Sequence, residues 1–402
     1  MDVLKGLKKL EDNSIDVVLT SPPYYLLRNN FVEGQYGLEE HPQEFVNKLA
    51  DVFDEVKRVL KPTGSVWLNL GDTYYTKSGS NFKSSEQMKS LDKTNEIKGM
   101  EKVNSLREKH CDGKWLQSKQ KLLIPARVAI EMQNRGWVCR NEIIWKKTCS
   151  MPSSARDRLK NTFEYLFHFV KSPRYYYDLE KIKVPMKQIS INRAYAEEHP
   201  DKRKDGGKAI FAVNVKSQEL HNKKIVEKIS GGITPMVNPG DVWTIGPKPY
   251  KGSHFSVFPP ELVRRPLLAT CPLAVCNLCG FPLTPKYKSS GFRTKEQELA
   301  LQKAVKETGV PRQTLGLKFP SQSKTEIVGW DYCDCENNKY EPGIVLDPFC
   351  GSGTTLMVAK ELGLRGIGIE LNSGYINLIL DRLGIKKDQT TFSDDFVKII
   401  KE

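Results

Sequence analysis

Two short stretches of this 402-residue chain carry residue types that could do chemistry. The first, residues 20–24, reads TSPPY and follows the apolar run 17–19, which predicts a buried strand. The two prolines fix two φ angles and remove two backbone donors, so neither a strand nor a helix continues through them. The strand is therefore expected to end in a rigid corner that carries the Ser21 hydroxyl and the Tyr24 phenol.

The second stretch, residues 347–355, reads DPFCGSGTT and follows the apolar run 344–346. The pattern after it predicts a helix and then another strand over residues 365–370. Strand, glycine-rich turn, helix and strand in this order form a unit that binds nucleotides at the carboxyl ends of its strands.

Acidic residues at the ends of both strands indicate which ligand this unit binds. The loop has no Gly-Lys-Ser/Thr, which excludes a phosphate-cradling P-loop, and no third glycine at the dinucleotide spacing. Glu370 is placed to accept from ribose hydroxyls, and Asp347 suits an ammonium or sulfonium charge. S-adenosylmethionine (SAM) has this pattern of polarity. The alternative is an ordinary strand–helix turn whose glycines only permit tight packing.

In this order, the two stretches resemble the amino-group DNA methyltransferases, in the subclass whose target-site motif precedes the SAM motif. Residues 20–24 look like the catalytic motif of that family, and residues 347–355 look like its SAM loop. The segment SHFSVFPPELVRRPL resembles the part that lines the methionine end of SAM, and Asp2 is similar to an acidic position that contacts adenine. The resemblance covers residues 1–75, 121–180 and 240–380.

The resemblance implies two sets of site residues. The catalytic residues are Ser21, Pro22, Pro23 and Tyr24. The cofactor-binding residues are Asp2, Thr20, Phe258, Pro259, Asp347, Pro348, Phe349, Gly351, Ser352, Gly353, Thr354 and Glu370. The family has a strand before the position that Asp2 matches, so either that strand is dispensable or the start codon lies upstream.

The resemblance also implies the fold class: an α/β, Rossmann-like SAM-dependent methyltransferase fold with a mostly parallel, seven-stranded sheet, helices on both faces and an inserted target-recognition region. Local periodicity predicts a helix over residues 2–14, whereas residues 171–240 are polar, basic and short of periodicity. We expect the following segments: 1–170, the catalytic half with an insertion at 77–120; 171–240, the target-recognition region; 241–284, a return segment that lines the SAM site; 285–335, a second insertion; and 336–402, the SAM-binding half.

In this family the corner serves the transfer of a methyl group to the exocyclic amine of a base. Such an amine is a poor nucleophile because its lone pair is delocalised into the ring. Ser21 Oγ and the Pro22 carbonyl can accept its two N–H groups, and Tyr24 supplies a face for a base that has left the duplex. No covalent enzyme–base intermediate is needed, so Cys350 is expected to be structural.

The target base follows from the residue before Pro-Pro-Tyr. Family members with serine there are mostly cytosine-N4 enzymes, and those with aspartate or asparagine are mostly adenine-N6 enzymes, so Ser21 favours cytosine N4 over adenine N6. An RNA or protein amide methyltransferase is a further alternative, although the motif order and the large basic insertions argue against it. A nucleic-acid-binding module without catalysis would leave Ser21, Asp347 and Glu370 unexplained.

A net charge of +14 favours a polyanionic partner, with double-stranded DNA first, although a lysine-rich solvated surface would give the same number. The candidate DNA-binding residues are Arg156, Arg158 and Lys160, and residues 185–240 are the candidate for target recognition. The chain has neither a membrane-spanning run nor the apolar core of a signal peptide at its N-terminus, so a cytoplasmic location is expected. A homodimer and a cognate restriction endonuclease are possible partners.

Four cysteines flank the second insertion as two close pairs. Cys276 and Cys279 form a knuckle-like C-x2-C-G sequence, and Cys333 and Cys335 follow some fifty residues later. Four thiolates suit a structural zinc that ties down the segment between the pairs. The alternative is a surface hairpin with reduced cysteines, and Cys271 could replace one ligand.

Overall fold

The structure is a computed structural model. It describes residues 1–27, 32, 34–75, 116–150, 152–153, 155–198, 215–232, 234–246, 258–290, 324–336, 339–385 and 397–400. Most of the predicted insertion at 77–120 and the middle of the one at 285–335 lie outside these residues. The described chain divides into two compact units, Met1–Asp178 with Gly240–Leu283 and Cys333–Glu402, and Leu179–Pro239 with Thr284–Tyr332.

Helices and strands alternate along parts of the first unit, at residues 3–147 and 344–400. The helices of the whole described chain are α1 (Val3–Leu7), α2 (Pro42–Val59), α3 (Ile124–Asn134), α4 (Gln188–Glu198), α5 (Val215–Ser230), α6 (Pro260–Thr270), α7 (Thr354–Glu361) and α8 (Ser373–Leu383). The strands are β1 (Ile15–Thr20), β2 (Leu60–Leu70), β3 (Val138–Lys147), β4 (Phe163–Val170), β5 (Val184–Pro185), β6 (Met236–Val237), β7 (Val242–Ile245), β8 (Val275–Cys276), β9 (Thr284–Ser290), β10 (Lys324–Asp331), β11 (Tyr340–Glu341), β12 (Ile344–Asp347), β13 (Arg365–Ile369) and β14 (Val397–Ile400).

The first unit is built on an eight-stranded sheet with the order β14-β13-β12-β1-β2-β4-β3-β7. Strand β4 pairs antiparallel with both neighbours, and every other pairing in this sheet is parallel. Seven strands therefore run one way and β4 runs the other way. The mostly parallel α/β sheet confirms the predicted fold class, and the sheet has one strand more than the seven expected.

Helices cover both faces of the sheet, which is why strand β1 is buried along its whole length. Alternate residues of β1 point to opposite faces. Val18 packs in a core with apolar residues of α1, α2 and α3, whereas Val17 packs in a second core with those of α6 and α7. This two-sided burial explains why the buried strands appear in the sequence as unbroken apolar runs.

The local sequence explains where helix α2 begins, which of its faces packs against the sheet, and where it ends. Pro42 occupies the first turn, where its missing N–H costs no hydrogen bond, and His41 Nδ1 accepts from Gln43 N at 3.1 Å. The buried residues recur at helical spacing, so one apolar stripe faces the sheet. The chain leaves the helix at Leu60, which is extended and already begins β2.

Two local predictions are corrected by the structure. Helix α1 spans five residues rather than the predicted 2–14, because the chain turns at Lys8 and then enters β1 at Ile15. Residues 171–240, which lack clear periodicity, contain two helices, α4 and α5.

The second unit has its own small elements. Strands β5 and β6 pair antiparallel, and so do β9 and β10, which form a two-stranded ladder from Thr284 with Asp331 to Ser290 with Lys324. This unit contains most of the predicted target-recognition region and second insertion, and their function remains a prediction.

Candidate active site

The two motifs, more than 300 residues apart in sequence, meet at one edge of the sheet. Strands β1 and β12 are parallel neighbours, with Val17 opposite Val345 and Val18 opposite Leu346. The neighbour of β1 on its other side is β2, and the neighbour of β12 on its other side is β13. The connections after β1 and β12 therefore leave in opposite directions. A crevice at the carboxyl ends of two such strands is where open α/β sheets bind ligands.

The Tyr24 hydroxyl anchors the Pro-Pro corner through a chain of side chains. It donates to Glu164 Oε2 at 2.6 Å and lies 3.1 Å from Asn69 Oδ1. Lys147 Nζ forms an ion pair with the other oxygen of Glu164. The Ser21 side chain is hydrogen-bonded to the same phenol. Tyr24 is thus held at the centre of a polar network at the sheet edge.

Two hydrogen bonds of this network have the same donor direction, from Ser21 to Tyr24 and from Tyr24 to Glu164. Burial and the neighbouring Glu164 carboxylate raise the pKa of Tyr24 well above its usual value, so the phenol is protonated and donates to Glu164. Because the single proton of the phenol is donated to Glu164, the hydrogen bond between Ser21 and this phenol uses the serine proton. The Ser21 proton therefore points to Tyr24, and the lone pairs of Ser21 Oγ are left as acceptors.

Gly71, directly after strand β2, makes room for the Tyr24 ring. A Cβ atom at this position would lie 2.5 Å from Tyr24 Cε2. No side chain fits at such a distance unless the ring moves. The absence of a side chain at Gly71 is therefore a condition for the observed position of the phenol.

Asp347 lies beneath the glycine-rich loop and is completely buried. Its Oδ1 accepts from Thr20 Oγ1 at 2.6 Å and from Phe349 N at 3.1 Å, whereas Oδ2 has no hydrogen-bond partner among the described residues. Burial raises the pKa of Asp347 to about 6, against the effect of these donors. An unpartnered, buried carboxylate oxygen suits a cationic ligand.

Glu370 ends the neighbouring strand and closes the other side of the loop. Its two oxygens accept from Gly351 N at 2.7 Å and from Asn372 N at 2.8 Å. Burial, with a smaller contribution from Asp347, raises the pKa of Glu370 to about 7. Because each carboxylate oxygen has two lone pairs, both oxygens can accept a further hydrogen bond from a ligand hydroxyl.

The glycine-rich loop is fixed from behind. Gly353 has φ +75°, which glycine adopts without strain, and a Cβ there would come within 3.0 Å of Ile379. Arg382 Nη1 donates to Thr354 Oγ1 at 2.9 Å and to Ser352 Oγ at 3.1 Å. The loop is therefore held in position by α8 before any ligand binds.

A cavity of about 960 Å³ lies where the corner and the loop meet. It is lined by predicted site residues from both motifs: Asp2, Ser21, Pro22, Pro23, Tyr24, Phe258, Pro348, Phe349, Gly351, Ser352, Thr354 and Glu370. Four of the predicted catalytic and cofactor-binding residues do not line it: Thr20, Pro259, Asp347 and Gly353. Of these, Thr20 and Asp347 hydrogen-bond to each other, and Pro259 caps the start of α6.

Asp2 serves the local backbone as well as the cavity. Its Oδ1 accepts from Leu4 N at 3.0 Å and from Lys5 N at 3.2 Å, as a helix N-cap does. Met1 also lines the cavity, and its amino group donates to the Glu370 carbonyl at 2.8 Å. The N-terminal residues thereby form part of the cavity wall.

Among the cavity residues that sequence reasoning missed, Asn69, Lys147 and Glu164 belong to the hydrogen-bond network around Tyr24. Asn69 and Glu164 each interrupt an apolar strand, and a polar residue inside a buried strand needs a partner. That interruption was the available signal. It does not reveal the partner, because Tyr24 lies 140 residues from Glu164 in the chain.

The three predicted DNA-binding residues differ in position. Arg158 and Lys160 line the cavity, whereas Arg156 is exposed and does not line it. The Arg158 guanidinium lies 3.9 Å from the centre of the Tyr74 ring, a cation–π contact that orients it.

The four predicted cysteine ligands come together away from the cavity. The sulfur atoms of Cys276, Cys279, Cys333 and Cys335 all lie within 4.8 Å of one another. Cys271, the proposed substitute, is buried and does not belong to this group.

Comparisons with known proteins identify several methyltransferases to which this chain is similar. Type II methyltransferase M.XycI of Xanthomonas campestris pv. cyanopsidis is 29% identical over 383 residues, which are 95% of this chain and 85% of that protein. Type II methyltransferase M.SmaI of Serratia marcescens is 29% identical over 382 residues, which are 95% and 88% of the two chains. Type II methyltransferase M.SfiI of Streptomyces fimbriatus is 38% identical over 197 residues, which are 49% of this chain and 41% of that protein.

The solved structure of PvuII DNA methyltransferase (cytosine-N4-specific) aligns with 96% of this chain and 86% of its own, at 15% identity and a TM-score of 0.49. A likeness at this level supports no inference about the target base. The family model N6_N4_Mtase, described as DNA methylase, matches residues 15–273 and 336–381, more than half of the chain. The chain therefore belongs to this family of DNA methylases.

Proposed function

We propose that the protein is a SAM-dependent, site-specific DNA methyltransferase that acts on the exocyclic amine of a flipped base, with cytosine N4 as its target. One observation carries the proposal. The Pro-Pro corner after β1 and the glycine-rich loop after β12 end adjacent parallel strands and line one cavity. A cofactor held by the loop and a base held by the corner would therefore be neighbours.

The loop side of the cavity suits SAM. When bound, SAM supplies an electrophilic methyl group on a sulfonium. Asp347 places a carboxylate beneath the loop, where its charge favours a cationic ligand without direct contact, and Glu370, which lines the cavity, offers acceptor sites for ribose hydroxyls. Phe258 adds an apolar wall on the side that the sequence associates with the methionine end.

The corner side suits an amine that must be held by acceptors. The proton chain from Ser21 through Tyr24 to Glu164 leaves Ser21 Oγ as an acceptor for one N–H of the amine. The Pro22 carbonyl accepts the other N–H, and the proline rings keep this carbonyl rigid. Acceptors that are fixed before the reaction need no reorganisation when positive charge develops on the amine.

Positioning accounts for much of the proposed acceleration. The Tyr24 ring offers a face for the base, whose amine cannot be reached while it is stacked in the duplex. Once the amine and the methyl group are bound in line with each other, the reaction no longer depends on their meeting in solution in the correct orientation. Cys350 takes no part in this scheme, and burial raises the pKa of its thiol well above the usual value.

The proposed choice of cytosine rests on Ser21. The experiment that tests it is nucleoside mass spectrometry on mixed-sequence duplex DNA after incubation with SAM. We expect N4-methylcytosine. Formation of N6-methyladenine would be consistent with the proposed cofactor and catalytic corner, but it would overturn the assignment of cytosine as the target base. If no methylated base forms in duplex or single-stranded DNA while SAM still binds, an RNA or protein amide is the substrate instead.

We further propose that the basic loop around Arg156, Arg158 and Lys160 contacts the DNA backbone. Two of these residues line the cavity, so a phosphate near the flipped base is within their reach. Residues 185–240 are proposed to read the target sequence, as the insertion expected in this position of the family.

The relatives' designation as type II methyltransferases supports a role in a restriction–modification system with a cognate endonuclease. A homodimer is the proposed state of the enzyme, and sedimentation equilibrium tests it. DNA as the substrate implies that the activity is cytoplasmic. In the described part of the chain, no helix is both long and apolar enough to span a membrane.

A further inference from the structure

We propose that Cys276, Cys279, Cys333 and Cys335 bind one structural zinc ion that holds together the two ends of the insertion between them. The four sulfurs lie within 4.8 Å of one another. A tetrahedral zinc with Zn–S bonds of about 2.3 Å needs sulfurs about 3.8 Å apart. A contraction of about 1 Å or less between the sulfurs would therefore complete the site.

The backbone around the first cysteine pair is shaped as a ligand turn. Cys276 N donates to Phe281 O at 2.9 Å, and Gly280 N donates to Cys276 O at 2.9 Å. Gly280 has φ +70°, so the sharp turn after Cys279 uses the conformation that favours glycine. This closed turn directs the sulfurs of Cys276 and Cys279 to the same side.

Backbone N–H groups point at three of the four sulfurs. Leu278 N lies 3.4 Å from Cys276 Sγ. The N–H groups of Phe281 and Cys335 are directed at the sulfurs of Cys279 and Cys333. Such donors stabilise the charged form of a sulfur, which is the form that binds a metal.

The two pairs are brought together by pairing outside the cluster. Strands β8 and β11 place Cys276 opposite Tyr340, and Asn277 N donates to Lys339 O at 2.9 Å. Cys333 Sγ lies 3.9 Å from the Tyr340 hydroxyl. The pairing positions the second pair of cysteines beside the first before the metal binds.

The chemistry of the ligand set points to zinc. The four cysteines are not joined by disulfides. Four thiolates in a tetrahedral array are typical of zinc, and a multi-iron cluster would need more widely spaced sulfurs. None of the four residues lines the candidate active site, and a site filled by four protein ligands leaves no position for a substrate. The ion is therefore structural.

The position of the site indicates its role. Cys279 and Cys333 lie directly outside the segment Thr284–Tyr332, which belongs to the second unit. A metal bound by both pairs would join the chain just outside this segment, next to the ladder in which Thr284 already pairs with Asp331, and would reinforce that closure. The site thus fixes where the insertion leaves the first unit and where it returns.

The first experiment measures metal content of the full-length protein, purified without chelators after growth with added zinc. We expect about one zinc per chain by plasma mass spectrometry, with X-ray absorption showing four sulfur neighbours at about 2.3 Å. A chain without bound metal, an iron-containing chain or a zinc with nitrogen or oxygen ligands would each overturn the proposal.

Variants then assign the ligands. Cys276→Ser and Cys333→Ser should each lower the zinc content at least tenfold, whereas Cys139→Ser, which changes a cysteine outside the cluster, should keep it. Full zinc content in either ligand variant would contradict the assignment. If the ligand variants do not fold, titration of the wild-type protein with a mercurial reagent replaces them. Zinc should then be released as the four thiols react, and release without their reaction would overturn the site. These readouts do not depend on methyl transfer.

Discussion

At the scale of single residues, Ser21 is the side chain that the proposed mechanism uses most directly. Ser21→Ala should lower kcat about 100-fold, because one fixed acceptor for the amine is lost. The affinity for SAM should stay near that of the wild type, since the cofactor contacts come from the other side of the cavity. Ser14→Ala, outside the cavity, is the control. Isothermal titration with SAM, beside a methyl-transfer assay, gives both numbers, and a large loss of SAM binding would mean that the catalytic corner is misplaced.

In the proposed mechanism Glu164 is a positioning residue, because it is hydrogen-bonded to Tyr24, which in turn is hydrogen-bonded to Ser21. Glu164→Gln removes the charge that directs the chain of protons, so kcat should fall about 10- to 100-fold without a change in SAM affinity. The double variant with Ser21→Ala should be little slower than Ser21→Ala alone, since both changes break one network.

A double-mutant cycle measured by single-turnover methylation checks this coupling. Glu142→Gln, on the exposed side of strand β3, is the matched control and should be additive with Ser21→Ala. If the effects of Glu164→Gln and Ser21→Ala on the rate are additive, Glu164 does not act through Ser21.

The raised pKa values of Asp347 and Glu370, about 6 and about 7, predict how SAM binding depends on pH. In the proposed site each group favours SAM in its ionised form, and a raised pKa means that this form is lost as the pH falls through 7 and then 6. Affinity should therefore be constant above about pH 8 and decrease below pH 7.

Binding at pH 6.5 should also release protons, because a cationic ligand favours the carboxylates. Isothermal titration in buffers of different ionisation enthalpy measures this release. It should become smaller in Asp347→Asn, which also binds SAM more weakly. If the affinity for SAM does not change between pH 5.5 and 8, neither carboxylate contributes to the binding of SAM.

At the scale of elements, the antiparallel direction of strand β4 places its first residues, rather than its last, beside the cavity. In parallel strands only the carboxyl ends lie at the ligand edge. Strand β4 is antiparallel to both neighbours, so its first residues lie at that edge, and Glu164 arrives beside Tyr24. A parallel strand in this place would put Glu164 at the opposite edge of the sheet.

The end of strand β2 gives a prediction at the same scale. Gly71→Ala should displace the Tyr24 ring, because the added Cβ would lie 2.5 Å from Cε2 in the present geometry. We expect a loss of stability of about 1–3 kcal/mol and a clear fall in activity. Gly240→Ala is the control, since a Cβ there meets nothing within 4 Å. Thermal unfolding and methyl transfer measure the two effects, and wild-type activity in Gly71→Ala would show that the ring position does not matter.

At the scale of the whole molecule, a net charge of +14 predicts DNA affinity that falls steeply with salt. Arg158→Ala should weaken binding of all sequences about equally and reduce the slope of log affinity against log salt by about one. Arg174→Ala, which changes an exposed arginine outside the cavity, should have less effect. Fluorescence anisotropy over a series of salt concentrations gives the slopes. An unchanged slope in Arg158→Ala would exclude a phosphate contact at this position.

Sequence alone determined the parts of the protein that depend on neighbours in the chain. The Pro-Pro corner, the glycine-rich loop, the strand Phe163–Val170 and most of helix α2 follow from local rules on φ, donors and periodicity. These rules act within a few residues. They therefore located both motifs, and the family resemblance supplied the fold class and the cofactor.

Only the tertiary structure decided which distant groups meet. The order of strands brings Thr20 to Asp347, the reversal of β4 brings Glu164 to Tyr24, and the pairing of β8 with β11 brings two pairs of cysteines together. The unpartnered oxygen of Asp347 and the extra strand of the sheet belong here as well. The physical reason is that strand pairing and two-sided burial are set by the whole sheet, whereas periodicity and backbone restrictions report only on adjacent residues.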